Sequence, residues 1–283
     1  MSDTRVTEPG GYASLLAGAV LLCCLFVIPS PAFADSADPG PGDQPRQIAQ
    51  QPVWRTGAVS QLDATREGDC VALLHGLGRR SGSMDEVARK LQRSGFRVVN
   101  QGYPSLLKPF HELSDLAVGE AVRRCQAVSA ATIHFVTHSL GGILVRYYLQ
   151  ANPLPELGRV VMMGPPNQGS KIVDSLSSVP GFGIIGPTGM KLGSGGDSVP
   201  ANLPVVKFEL GVIAGSRNLN PLGFLFHDGP NDSIVSVEST RVEGMREHIT
   251  LPVAHTFMMN NNEVIDHTIH FLKTGNFMPV GGE

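Results

Sequence analysis

Three stretches of this chain hold residues that could do chemistry together. The first is Thr137-His138-Ser139-Leu140-Gly141-Gly142, where a strand pattern ends and a helical pattern begins. A serine in so tight a strand-to-helix turn is lifted above the sheet, with its hydroxyl at a helix N-terminus, so Ser139 is a candidate nucleophile. Such a turn is strained, and small neighbours relieve the crowding. Gly141 stands where the helix must pass close to the strand. The usual pattern is G-x-S-x-G, and here Thr137 replaces the first glycine. The plainer alternative is a serine that only caps its helix.

The second stretch is His75-Gly76-Leu77-Gly78, at the end of an apolar run. Two glycines let the backbone lie flat against a substrate. The N–H groups of Leu77 and Leu140 are candidates for stabilising a developing oxyanion. Read alone, the same residues make an ordinary glycine-rich turn. The third stretch is the tail. Of nine histidines, His134 lies inside a strand pattern and His138 abuts the serine, both as packed or hydrogen-bonded side chains. His255 differs: it follows the run Ile249–Val253 on a short loop, where a base could reach Ser139 from across a site. A carboxylate to orient its ring has three candidates, Asp228, Asp232 and Glu238.

These residues need a frame. Cys70–His75 is a short apolar run, as in a buried parallel strand. Ser83 stands three before Glu86, a capping box that predicts a helix through Met84, Val87, Ala88 and Leu91, closed by Gly95. Strands are predicted at Phe96–Val99, Ala131–Thr137, Arg159–Met163, Val205–Ala214 and His248–Val253. Helices are predicted around Leu113–Ala121, at Gly141–Gln150 and at Glu263–Leu272. Repeated strand–helix–strand units imply an α/β fold with a mainly parallel sheet and helices on both faces. Chemistry in such a sheet sits at the carboxyl ends of the strands. All three stretches fall there.

Composition narrows the classes. The chain has 283 residues, 42% hydrophobic and 17% charged, which is a globular balance. A net charge of −3 argues against a dedicated nucleic-acid binder. Four cysteines are too few for a disulfide-dense scaffold. Ala13–Ile28 is uncharged and mostly apolar, and Ala32-x-Ala34 fits a small-residue cleavage site. Residues 1–34 therefore read as a signal peptide, with an N-terminal membrane anchor as the alternative. Residues 35–67 read as a flexible leader, 68–276 as the folded domain and 277–283 as a tail.

The elbow at Ser139, the His75–Gly78 loop and the Ser–Asp–His order resemble the α/β-hydrolase superfamily. Phe135-Val-Thr-His-Ser139-Leu-Gly-Gly-Ile, Gly164-Pro-Pro-Asn-Gln-Gly-Ser170 and Pro252-Val-Ala-His255-Thr-Phe are similar to bacterial secreted lipases and esterases in particular. The resemblance spans roughly Cys70 to Gly275. It implies an α/β-hydrolase sheet that lacks the first strands, and a serine hydrolase that cleaves aliphatic acyl esters with no cofactor and no metal. Its alternatives are an acyltransferase or amidase using the same triad, or a non-catalytic binding protein. The implied partners are an ester or lipid substrate and a lipid interface, with no nucleic acid and no obligate protein partner. The resemblance selects Asp232, which precedes Ser-Ile-Val235, as the acid. Asp228 stands before Gly229-Pro230 and reads as a turn former. In this fold the strands that Cys70 opens and Cys125 leads into are neighbours, so in an exported chain the two cysteines are expected to form a disulfide.

Competing motifs fail. Gly181-Phe-Gly183-Ile-Ile-Gly186 fits G-x-G-x-x-G, yet Ser178-Val-Pro180 before it breaks any strand, so it does not predict a dinucleotide site. No H-E-x-x-H, C-x-x-C or Walker spacing occurs. The segment Lys171–Pro204 holds seven glycines and four prolines in 34 residues, together with apolar Val179, Phe182, Ile184, Ile185, Met190 and Leu192. It reads as a cap or lid over an acyl-binding cleft, or else as a loop tucked against the sheet.

Overall fold

The computed structural model describes residues 68–220 and 229–279. The expected signal peptide and leader, Asp228 and the end of the tail lie outside the described residues. The frame is one six-stranded sheet, all parallel. Its strands are β1 Cys70–Leu74, β2 Arg97–Gln101, β3 Ile133–His138, β4 Leu157–Met163, β5 Leu210–Gly215 and β6 Glu247–Leu251. The spatial order is β2-β1-β3-β4-β5-β6. Among the described residues no strand precedes β1.

Parallel strands covered on both faces must be apolar on both, and alternate side chains divide accordingly. Cys70, Ala72 and Leu74 of β1 join one buried cluster with Phe135 of β3 and Met162 of β4. Val71 and Leu73 join a second cluster with Val136, Val161 and Met163. The first cluster is covered by α2 (Phe110–Ser114), α3 (Glu120–Ala127) and α4 (Leu140–Leu149). The second is covered by α1 (Asp85–Arg93) and the last helix, Asn262–Thr274. That last helix is capped by Asn261, whose side chain accepts from Val264 N at 3.0 Å. Cys70 and Cys125 are both fully buried and are joined by a disulfide, with Cα atoms 5.8 Å apart.

Two local readings are corrected. Ser83 does not cap α1: it lies in a 3-10 turn, Ser81–Met84, and its hydroxyl donates back to Arg80 O at 2.8 Å. The strand expected from Val205 starts only at Leu210, because its register on β4 begins at Val160–Leu210. The Gly-rich segment after β4 is broken into short pieces. Helix α5 (Lys171–Leu176), a 3-10 turn at Phe182–Ile185 and single turns at Gly186–Gly189 and Val199–Asn202 succeed one another. Ile172, Val173, Leu176, Phe182, Ile185 and Leu192 of this segment are buried in the first cluster. Thr188 Oγ1 also donates to Lys108 O at 2.7 Å.

Candidate active site

The chain runs from β1 outward to β2, then returns to place β3 on β1's other side. The crevice above β1 and β3 is thus a topological switch point, the usual ligand position in an open α/β sheet. The Ser139 turn and the His75–Gly78 loop flank it.

Ser139 joins β3 to α4 with φ 53° and ψ −120°. A non-glycine residue held there is strained, and the surroundings must over-determine it. They do. Ser139 N donates to Met163 O at 2.9 Å, and its own carbonyl accepts from Gly142 N at 3.1 Å. Gly141 lets α4 descend onto β1: a Cβ there would lie 2.7 Å from Leu74 O and 3.1 Å from His75 O. Ser139 is half-buried while its neighbours His138 and Leu140 are buried.

The His75–Gly78 loop runs against this turn. A Cβ on Gly76 would lie 3.2 Å from Ser139 Cβ and 2.8 Å from His138 Nδ1. Arg79 N donates to Gly76 O at 3.2 Å, so Leu77 and Gly78 form the corner of a tight turn. Among the described residues, the N–H groups of Leu77 and Leu140 donate to no protein acceptor. Leu140 opens its helix, where backbone donors have no intrahelical partner and the helix dipole favours negative charge. His75 anchors the loop from below, its ring stacked on Tyr103 at 3.9 Å. Burial pushes its pKa down.

Asp232 and His255 meet across the crevice. His255 Nδ1 donates to Asp232 Oδ2 at 2.7 Å. The other carboxylate oxygen accepts from Ile234 N at 3.0 Å and Val235 N at 2.8 Å. The backbones join as well, His255 N to Asp232 O at 3.0 Å. Asp232 is fully buried and His255 is 7% exposed. Gly164, at the end of β4, gives the pair room: a Cβ there would lie 3.0 Å from His255 Nδ1 and 3.1 Å from Asp232 Oδ2. Glu238, by contrast, is exposed and pairs with Arg241 at 3.5 Å.

His138 links the two halves of the site, which its sequence position beside the serine did not disclose. Its Nε2 donates to His255 O at 3.0 Å, and the two rings lie 4.6 Å apart. Burial, and next the neighbouring His255 and Arg79, hold its pKa well below the ordinary histidine value. It is therefore a neutral spacer between Ser139 and His255. Ser139 Oγ makes no hydrogen bond to His255. Among the described residues no cluster of histidine, cysteine and carboxylate side chains could hold a metal ion.

No protein-family model matches the chain, and no curated protein matches it in sequence. Solved structures do match in fold. The lipase BlEst2 of Bacillus licheniformis in its mature form superposes with a TM-score of 0.60 at 17% identity, over 78% of this chain and 96% of that one. Lipase B of Aspergillus fumigatus gives 0.58 at 13% identity, over 77% and 56% of the two chains. An esterase of Pyrococcus furiosus gives 0.51 at 18% identity, over 75% and 83%.

Proposed function

We propose that this chain, which has the α/β-hydrolase fold of lipases and esterases, is a serine ester hydrolase working through an acyl-enzyme. The carrying observation is the strained Ser139 on the open end of the sheet, one residue from a histidine bonded to the loop of a buried Asp232–His255 pair. His255 Nε2 takes the Ser139 proton as Oγ bonds to the ester carbonyl carbon. Asp232 holds the ring with Nδ1 protonated and stabilises the imidazolium that forms. The carbonyl oxygen becomes an oxyanion facing the Leu77 and Leu140 N–H groups. Collapse expels the alcohol, which takes the proton from His255. Water then attacks the acyl-enzyme by the same steps and frees the acid and Ser139.

The favoured substrates are carboxylic esters with an aliphatic acyl chain, of the carboxylesterase or lipase kind. Leu107, Ile184, Leu219 and Phe257 support this. All are large, apolar and at least half exposed, on the connections that leave the carboxyl ends of β2, β4, β5 and β6. They suit peripheral contact with a lipid interface. The buried disulfide and the Ala32-x-Ala34 pattern favour export. Among the described residues no helix is long and apolar enough to cross a membrane. Hydrolysis of a graded acyl-ester series, acetyl to palmitoyl, with and without an interface, tests the reading. Turnover of some members is expected, and its loss in Ser139→Ala. Turnover surviving that substitution, or none across the series, overturns it.

A further inference from the structure

Nothing so far explains the buried arginine on the nucleophile's own helix. Arg146 of α4 is only 5% exposed, and none of its bonds is to a carboxylate. A guanidinium so placed is costly unless its donors are well satisfied. Burial alone pulls its pKa down, to about 10. Its Nη1 grips Asn167 twice, at the carbonyl and at Oδ1, both at 3.1 Å. Its Nη2 reaches the carbonyls of Leu203 and Pro204 at 3.4 Å.

Asn167 passes the connection on. Its Nδ2 donates to Thr240 O at 2.7 Å. Thr240 closes the loop that carries Asp232 at its bend. Within that loop Asn231 pairs with Ser236, Val237 N donates to Pro230 O at 2.9 Å, and Thr240 N donates to Ser236 O at 3.2 Å. The residues after Asn167 grip the same loop. Gln168 N donates to Ser239 O at 3.0 Å, Ser239 Oγ donates to Gly169 O, and Ser170 Oγ donates to Ile234 O at 3.4 Å. At the other end of the segment, Gly164 leaves the space beside Asp232 and His255 that a side chain would fill.

We infer that Arg146 and Asn167 are positioning residues, which set the acid–base pair against the nucleophile by tying α4 to the Asp232 loop. This rests on the proposed serine hydrolysis. It assigns a task to Gly164-Pro-Pro-Asn-Gln-Gly-Ser170, which supplies none of the side chains of the proposed reaction. Ser139 immediately precedes α4, Asp232 lies on a loop almost a hundred residues later, and no hydrogen bond joins Ser139 to His255. Apart from the bond from His138 to the His255 carbonyl, their spacing is left to the elements between them. Reacting groups tolerate little displacement: about 1 Å costs on the order of a hundredfold in rate.

Two variants test it, both measured on a soluble short-chain p-nitrophenyl ester. Asn167→Asp keeps an acceptor for Arg146 and adds a charge partner, yet it turns a carboxylate oxygen toward Thr240 O and breaks that link. Arg146→Lys keeps the charge and loses the planar fork. Sites are counted by burst titration, so misfolded protein does not enter kcat. The expected result is a fall in kcat of at least about tenfold in each, with KM within twofold, and with the melting temperature of Asn167→Asp not lowered. Unchanged kcat per titrated site in either variant, or an effect confined to KM, overturns the inference. So does the absence of titratable sites in both, which would make the pair a requirement of folding. Ser139→Ala is run in parallel. Turnover that survives it defeats the proposed reaction, whereas full turnover in both variants with an inactive Ser139→Ala defeats only the positioning.

Discussion

At the scale of single residues, the proposed acid is the sharpest case. The spacing of the loop leaves Asp228, Asp232 and Glu238 as candidates, and only a family likeness points to the second. The reason is physical: an orienting carboxylate is defined by what it touches, and contacts across 23 residues leave no periodic trace. In the structure Asp232 spends one oxygen on two backbone N–H groups and the other on His255 Nδ1. Replacing it with Asn offers the ring an amide that can present its N–H, which favours the wrong tautomer. Asp232→Asn should therefore lower kcat by about ten-thousandfold, as in a serine protease, while the protein stays folded. Steady-state kinetics with circular dichroism checks this, and near-wild-type turnover contradicts it. His138 was opaque for a similar reason. A histidine beside a nucleophile is usually plain packing, and its bond to the His255 carbonyl exists only after folding. His138→Gln, which keeps an N–H donor, should retain more activity than His138→Phe.

At the scale of elements, the sheet was the most legible feature. Cys70–Leu74, apolar throughout, and Ile133–His138, with its apolar Ile133, Phe135 and Val136, are buried at every position. The errors fall where tertiary context overrides local pattern. Val205–Phe208 has a strand-like sequence, but Phe208 lies in a bend and pairing with β4 begins only at Leu210. Ser83 has the spacing of a cap, yet a 3-10 turn carries its hydroxyl away. The Gly/Pro-rich segment also escaped a single description, because half a dozen of its side chains are core residues. The disulfide joins β1 to α3, elements that pack against each other across a loop of 55 residues. In the chain-entropy model closing such a loop is worth at most about 4 kcal/mol. Reduction, or Cys125→Ala, should lower the urea midpoint with little change in kcat, since the bridge lies at the end of the sheet away from Ser139. An unchanged midpoint would show that the reduced unfolded chain is already as constrained.

At the scale of the whole molecule, burial of neutral histidines should set the acid limit of stability. His75, His134 and His138 have lowered pKa values, burial being the first cause in each. His248, bonded to Thr240 and near Arg241, is lowered to about 4, again chiefly by burial. An unfolded histidine titrates near 6.5. Between that value and the folded one the unfolded state binds more protons, so stability rises with pH there. The contribution is whole above about pH 6.5 and is lost as pH falls toward 4. Melting temperatures should thus decline across that window, and His248→Gln should decline less; equal slopes would remove His248 from the account. The fold itself is shared with lipases and esterases at 13–18% identity, so the reaction must be tested on the site. The most direct measurement is reaction with a fluorophosphonate followed by mass mapping of the adduct. The account predicts one adduct per chain, on Ser139, formed far more slowly in His255→Ala. An adduct on another residue, or none on folded protein, would contradict it.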